Sequence, residues 1–201
     1  MRIRAAHKTD NKYLAKLHIE VFQGFFLSTL GEQFLSRYYK VVLKHPETIC
    51  LFAVDETHNI CGYVLGRINA KGYLKRIVKS SPFVFACEAI RLLITKPKAL
   101  IRLLNNLDKK REDSEVYDSQ DYSEIGLIGV LPQYKGHGIG HKLLDEFEVI
   151  LKKNGVSKIS LTTDAENNAN TLAAYKAWGF ENYYSFVSYP NRKMYRLIKH
   201  I

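Results

Sequence analysis

Cysteine is scarce in this chain: Cys50, Cys61 and Cys87 are the only three in 201 residues. No two of them stand at a metal-binding or redox spacing, which leaves no zinc ribbon, iron–sulfur site or disulfide framework. Such an odd, sparse set reads as reduced thiols of the core in a cytoplasmic protein. Long apolar runs are missing too. The longest, around Phe83 to Ile94, is broken by Glu88 and Arg91, and is too short and too charged to span a bilayer. The N-terminal stretch "MRIRAAHKTDNKYL" lacks the apolar segment of a secretory leader. No repeat or low-complexity tract interrupts the chain. Hydrophobic residues make up 46% and charged residues 25%, which excludes a disordered polymer. The length suits one well-cored domain with room for an insertion.

Acidic residues are locally short as well. Residues 71–111 hold 11 Lys/Arg against two acids, and residues 112–124 then hold six acids and no base. The net charge of +10 is therefore concentrated in one stretch, which marks residues 71–120 as a basic helical insertion followed by an acidic tether. Two solvated helix faces would give the same count. A basic face also suits an anionic partner, whether phosphate, nucleotide or membrane surface. The acidic run weighs against nucleic acid.

Along the chain, "RIRAA" (2–6) reads as a strand. Thr9 or Asp10 can cap a helix to about Val21, with Leu14, Leu17, His18 and Val21 on one face. An aromatic loop, "FQGFFLSTLG" (22–31), leads to a second helix from about Glu32 to Lys44, which stops before Pro46. Strands 48–55 and 60–68 form a hairpin around "ETHN". The insertion reads as two or three helices with a break at Lys96–Pro97. "EIGLIGV" (124–130) reads as an apolar strand buried on both faces. A helix to about Lys153, a strand at 156–163, a helix from Asn168 to Trp178–Gly179 and two closing strands complete the order. Gly179 suits the position just past a helix end. The result is an α/β architecture with a mixed sheet.

Between "GVLP" and the helix, glycine takes alternate positions: Gly136, Gly138, Gly140. A strand that ends in such a turn and feeds a helix makes an anion site, since free backbone N–H groups and the helix dipole converge there. The spacing is not that of a P-loop, and the loop comes too late for a dinucleotide fingerprint. It reads Gln133-x-x-Gly136-x-Gly138. That pattern resembles the pyrophosphate loop of the GNAT superfamily of acetyl-CoA-dependent N-acetyltransferases. "NANTLAAYKAWGF" (168–180) resembles a second motif of the same family, with Thr171 in place of the usual alanine. The resemblance covers about residues 1–70 and 122–200 and leaves the insertion outside.

The resemblance implies a GNAT fold: a mixed, mostly antiparallel central sheet flanked by helices, here with a helical insert between the third and fourth strands. It implies that Ile128 and Val130 pair with the pantetheine arm through their backbone. It implies that Gln133, Lys135, Gly136, His137, Gly138, Ile139, Gly140 and His141 hold the pyrophosphate, with Lys142 at its edge. Asn168 would bind the arm and Tyr175 would protonate the departing thiolate. Glu124 stands where some members carry a catalytic glutamate; its plainer reading is a strand-end carboxylate in solvent. Asp121, Glu20 and His18 are weaker candidates for the base. No metal is expected. The acceptor would be a small-molecule amine, entering beside 22–31 and 188–193, with an anionic or nucleotide-linked amino sugar suiting the basic insert. A catalytically inactive CoA-binding module is the alternative. The insert could also make a homodimer or touch an anionic membrane.

Overall fold

The computed structural model describes residues 1–108, 116–188 and 191–201, with side chains through 104 in the first stretch. Seven strands form one sheet in the order β1-β2-β3-β4-β5-β7-β6. They are β1 (Arg2–Ala5), β2 (Thr48–Val54), β3 (Ile60–Arg67), β4 (Ser123–Val130), β5 (Lys158–Asp164), β6 (Glu181–Ser188) and β7 (Arg192–His200). All neighbours are antiparallel except β4 and β5. The mixed, mostly antiparallel sheet expected from the sequence is present. The turn between β6 and β7 includes residues outside the described set.

The period of two along β2 sorts its side chains to opposite faces. Cys50, Phe52 and Val54 join a cluster with Leu14, Leu35, Tyr39 and Val42, from α1 (Asn11–Val21) and α3 (Glu32–Val42). Ile49, Leu51 and Ala53 join Leu143, Phe147 and Leu151 of α7 (Ile139–Lys153) on the other face. Both faces of β2 and β3 are covered, so these strands are buried along nearly their whole length. Gly66 permits the close fit of α7: a Cβ there would lie 2.4 Å from the Phe147 ring.

Three expectations are corrected. Asp10 precedes α1 but does not cap it with its side chain; its carboxylate instead takes the His7 N–H at 2.9 Å and Arg4 at 2.8 Å. The loop 22–31 contains a short helix, α2 (Phe26–Thr29). The strand β4 is buried only at its start and is half-open from Leu127 to Val130. The cause of the last is in the pairing. β4 meets β5 only through Ser123, Glu124 and Ile125. Beyond them the two strands part, and residues 127–130 keep a partner on the β3 side alone. Gly126 is the extra residue of a bulge, because Leu65 pairs with Leu127 and Gly66 with Ile125, and a bulge bends and twists its strand.

Between β3 and β4 lie three helices: α4 (Tyr73–Ser80), α5 (Pro82–Thr95) and α6 (Pro97–Asp108), with the expected break at Lys96. They are built into the molecule. Tyr73, Ile77 and Leu92 are buried in the α1–α3 cluster, worth roughly 1.5–3 kcal/mol for each such side chain. Glu88 is buried between Arg37 of α3 and Arg91. Lys96 Nζ donates to the Thr29 carbonyl at 2.5 Å, and Arg102 stacks 4.2 Å over the Phe26 ring. The insertion thus backs directly onto α2. Cys50 and Cys61 are buried, but Cys87 is exposed on α5 and is not the core thiol the sequence suggested.

Candidate active site

The stretch after β4 begins with a 3-10 turn, Pro132–Tyr134, followed by glycines at positive φ: Gly136 at 81° and Gly138 at 70°. Other side chains rarely adopt this region. A Cβ at Gly136, Gly138 or Gly140 would meet nothing within 4 Å, so the space beside all three is open. The first hydrogen bond of α7 runs from the Lys142 N–H to the Gly138 carbonyl. The amides of Ile139, Gly140 and His141 precede it and have no helical acceptor. No side chain caps this end. Gln133, Lys135, His137, His141 and Lys142 are exposed around the turn. His137 is stitched into it, with Nδ1 at 3.0 Å from the Lys135 carbonyl.

Two anchors that the sequence did not disclose hold this loop. The Tyr134 hydroxyl donates to Asp55 Oδ2 at 2.9 Å, in the β2–β3 turn. The Leu131 N–H donates to the Cys61 carbonyl at 2.8 Å. Burial alone would raise the Asp55 pKa, but donors from Thr57, Asn59 and Tyr134 hold it at about 2. The tether is therefore anionic at any physiological pH.

After β5 comes α8 (Ala169–Ala177), whose Leu172 and Tyr175 pack on the same apolar cluster as Ile128 and Val130. Its C-terminus is a Schellman turn: the Phe180 N–H donates to the Tyr175 carbonyl at 3.0 Å and the Gly179 N–H to the Lys176 carbonyl at 2.9 Å, with Gly179 at φ 91°. The rings of Tyr175 and Phe180 pack edge-on at 5.7 Å. This fixes Tyr175 in register, and Gly179 takes the role its position in the sequence suggested. Burial pushes the Tyr175 hydroxyl up to about 12, so it keeps its proton at neutral pH. At the other end of α8, Asn168 Nδ2 donates to Thr163 Oγ1 at 2.7 Å and to the Asp164 carbonyl at 3.0 Å. Only its carboxamide oxygen is left for a ligand. A groove of about 530 Å³ lies here, lined by Ala165, Asn168, Thr171 and Leu172.

On the opposite face, Gly129 lets the end of α1 approach β4. A Cβ there would fall 2.2 Å from Val21 and 3.2 Å from the Phe22 ring. A glycine inside a strand pattern signals such an approach. Phe22 packs against Tyr63 and Phe25, while Phe25 is 48% exposed and lies 5.9 Å from the Arg192 guanidinium. The aromatic loop and the last hairpin, placed together by the sequence reading, do meet at this point. The aromatics divide: Phe22 and Phe26 pack on the core, and Phe25 faces solvent.

Residues 98–180 match the model of the Acetyltransferase (GNAT) family. Over that stretch the chain is similar to the GNAT acetyltransferases, as its two motifs suggested. The match begins inside the insertion, at α6, and runs through both motifs to Phe180. A mycothiol acetyltransferase of Kocuria rhizophila is 33% identical over 72 residues, which is 36% of this chain and 23% of that protein. The chain thus covers about a quarter of that relative's length. The ribosomal-protein-S18-alanine N-acetyltransferase of Escherichia coli superposes with a TM-score of 0.61 at 14% identity, over 100% of this chain and 93% of that one. The PaiA N-acetyltransferase of Thermoplasma acidophilum, solved with coenzyme A, gives 0.54 at 14% identity over 100% and 98%. At these identities the structures report the fold.

Within this fold Glu124 is not a strand-end carboxylate in solvent. It is 8% exposed and ion-paired with Arg67 of β3 and, at 2.7 Å, with Arg196 of β7. Burial would raise its pKa, but the two guanidiniums outweigh burial and hold it at about 2. It lies four residues before Ile128, about 13 Å along the strand. His18 is buried too, with Nδ1 at 2.7 Å from the Tyr39 hydroxyl and 3.1 Å from that of Tyr63; burial lowers its pKa to about 4. Glu20 and Asp121 are exposed, Asp121 before the closed end of β4. Trp178 packs in the core, as the sequence suggested, and donates to Asp145 at 2.9 Å. Among the described residues no cluster of His, Cys, Asp or Glu could hold a metal.

Proposed function

We propose that the protein transfers an acetyl group from acetyl-CoA to the primary amine of a small acceptor, directly, with both substrates bound at once. One arrangement carries the reading: an unpaired strand edge at residues 127–130, open amides at the glycine turn, and a register-fixed tyrosine on the same apolar cluster as Ile128 and Val130. The residues fit acetyl-CoA. The backbone of Ile128 and Val130 extends the sheet toward the pantetheine amides. The amides from Gly136 through His141 hold the pyrophosphate, with Lys135 and Lys142 supplying charge at its edge and Gln133 beside it. The Asn168 carboxamide oxygen accepts from the arm. The bound thioester supplies an already activated acyl group, so no protein nucleophile is required.

The backbone N–H near Val130 polarises the acetyl carbonyl as the amine attacks. Tyr175 stabilises the departing thiolate. With its pKa at about 12 against ~8.5 for a thiol, full proton transfer would cost roughly 5 kcal/mol, so Tyr175 acts chiefly as a hydrogen-bond donor. Glu124 does not serve as the base, because both its oxygens are held by arginines and its pKa is far below that of an amine. The amine proton passes to water in the open mouth beside Phe25. An anionic, nucleotide-linked amino sugar suits that mouth: Phe25 offers an exposed ring, and Arg192 lies beside it with its guanidinium shared with Asp164.

An acetyl-CoA thiol-release screen tests this. Turnover is expected with amino sugars carrying phosphate or carboxylate, above that with polyamines. Binding of acetyl-CoA with no thiol release across amino sugars, polyamines, amino acids and peptides would leave a CoA-binding module instead. For Tyr175→Phe we expect kcat to fall roughly 10–100-fold, at or below the lower bound of about 100-fold for general acid–base groups, as suits a hydrogen-bond donor. The acetyl-CoA dissociation constant by calorimetry should move less than about twofold. An unchanged kcat would remove Tyr175 from the chemistry.

A further inference from the structure

The outward side of the insertion carries an apolar stripe that the fold leaves uncovered. On α5, Phe83, Cys87, Ile90 and Ile94 recur at helical spacing on one side, and all are exposed: Phe83 84%, Ile90 61% and Ile94 77%. Leu93 is 61% exposed beside them, and Ile101 and Leu104 of the adjoining α6 are 58% and 53% exposed. A soluble surface scatters such residues singly; a row of them on neighbouring helices marks a contact. Charge identifies what they contact. From 71 to 107 the only acid is Glu88, and it is buried under Arg37 and Arg91. Lys71, Lys75, Lys79 and Lys98 are exposed and have no acidic partner among the described residues. The exposed side of residues 71–104 is thus apolar and cationic, with no acid on it.

A second copy of this chain would bring the same lysines face to face. An anionic surface would not, and it would also cover the apolar stripe. We infer that the outer face of α5 and α6 docks on an anionic lipid bilayer, lying in the headgroup plane with Phe83, Ile90 and Ile94 inserted and the lysines on the lipid phosphates. No helix among the described residues is long and apolar enough to cross a membrane; the contact is peripheral. It does not depend on acetyl transfer. It does bear on it, since Arg102 on α6 covers Phe26 and Lys96 grips the carbonyl of Thr29, in the loop that also holds Phe25. A docked α5–α6 would set the acceptor mouth close to the lipid surface.

Vesicle co-sedimentation of the full chain tests the inference. Binding is expected to vesicles of three parts phosphatidylcholine to one part phosphatidylglycerol, at least tenfold above pure phosphatidylcholine, and to weaken steeply between 50 and 300 mM salt. The triple variant Phe83→Ser, Ile90→Ser, Ile94→Ser changes only exposed side chains, so it should fold with an unchanged melting temperature. It should lose at least tenfold in binding, and so should Lys75→Glu with Lys79→Glu and Lys98→Glu. Absence of the chain from the anionic pellet at 50 mM salt would overturn the inference. So would a concentration-dependent dimer that the serine variant abolishes while vesicle binding persists unchanged.

Discussion

Gly138→Glu is expected to raise the dissociation constant for acetyl-CoA by at least ~100-fold, near 3 kcal/mol of binding free energy. The change has two effects, one on stability and one on binding. Gly138 sits at φ 70°, a conformation that costs other residues about 1–2 kcal/mol. The new side chain also projects into the open volume beside the free amides of α7 and places a carboxylate where the pyrophosphate has to lie. Gly155→Glu separates the two. Gly155 has φ 71° at the opposite end of the same helix, and a Cβ there also meets open space. It should lose similar stability with no change in cofactor affinity. Calorimetric titration of both variants decides: equal affinities would refute the glycine turn as the pyrophosphate site.

Glu124→Ala is expected to cost stability more than it costs chemistry. Removing the carboxylate leaves Arg67 and Arg196 buried without a counter-charge, a loss of about 3–5 kcal/mol, or roughly 6–20 °C in Tm for a domain of this size. Glu124→Gln keeps one acceptor and should lose less. A base reading expects the reverse, an intact Tm with kcat nearly abolished. pH offers a second check. The folded pKa of about 2 lies below the ordinary value of 4.5. The stabilisation is therefore fully present above pH 4.5 and is lost as pH falls from 4.5 toward 2. About 2.5 units correspond to roughly 3 kcal/mol. Acid unfolding of the wild type should show this loss and Glu124→Gln should not. A Glu124→Ala variant as stable as the wild type would refute the account.

The parts of the site legible in sequence were those that depend on local backbone geometry. Gly179 was read as a helix-end glycine and has the positive φ of one, and Gly136 and Gly138 of the glycine turn have it too. Tyr175 came from the resemblance of 168–180, and the helix end at 178–180, which the sequence did mark, fixes its register. What depends on distant partners was not readable. Glu124 meets Arg67, 57 residues away, and Arg196, 72 residues away, and no spacing in the chain announces that cluster. Tyr134 and Asp55 are joined across 79 residues for the same reason. β4 looked uniformly apolar, but composition does not tell a covered strand from one whose neighbour diverges. Gly126 and Gly129 were the available signals, the first for the bulge and the second for the approach of α1.

The cluster at Glu124 also has a mechanical meaning. β1 to β4 and β5 to β7 form two blades that share only three residue pairs at Ser123–Ile125. Arg67 belongs to one blade and Arg196 to the other, with Glu124 between them at the closed end. Like the rivet of a pair of shears, this carboxylate joins the two blades where they meet. The divergence beyond it is the gap into which we place the pantetheine arm. The width of the mouth is thus tied to a residue that touches neither substrate.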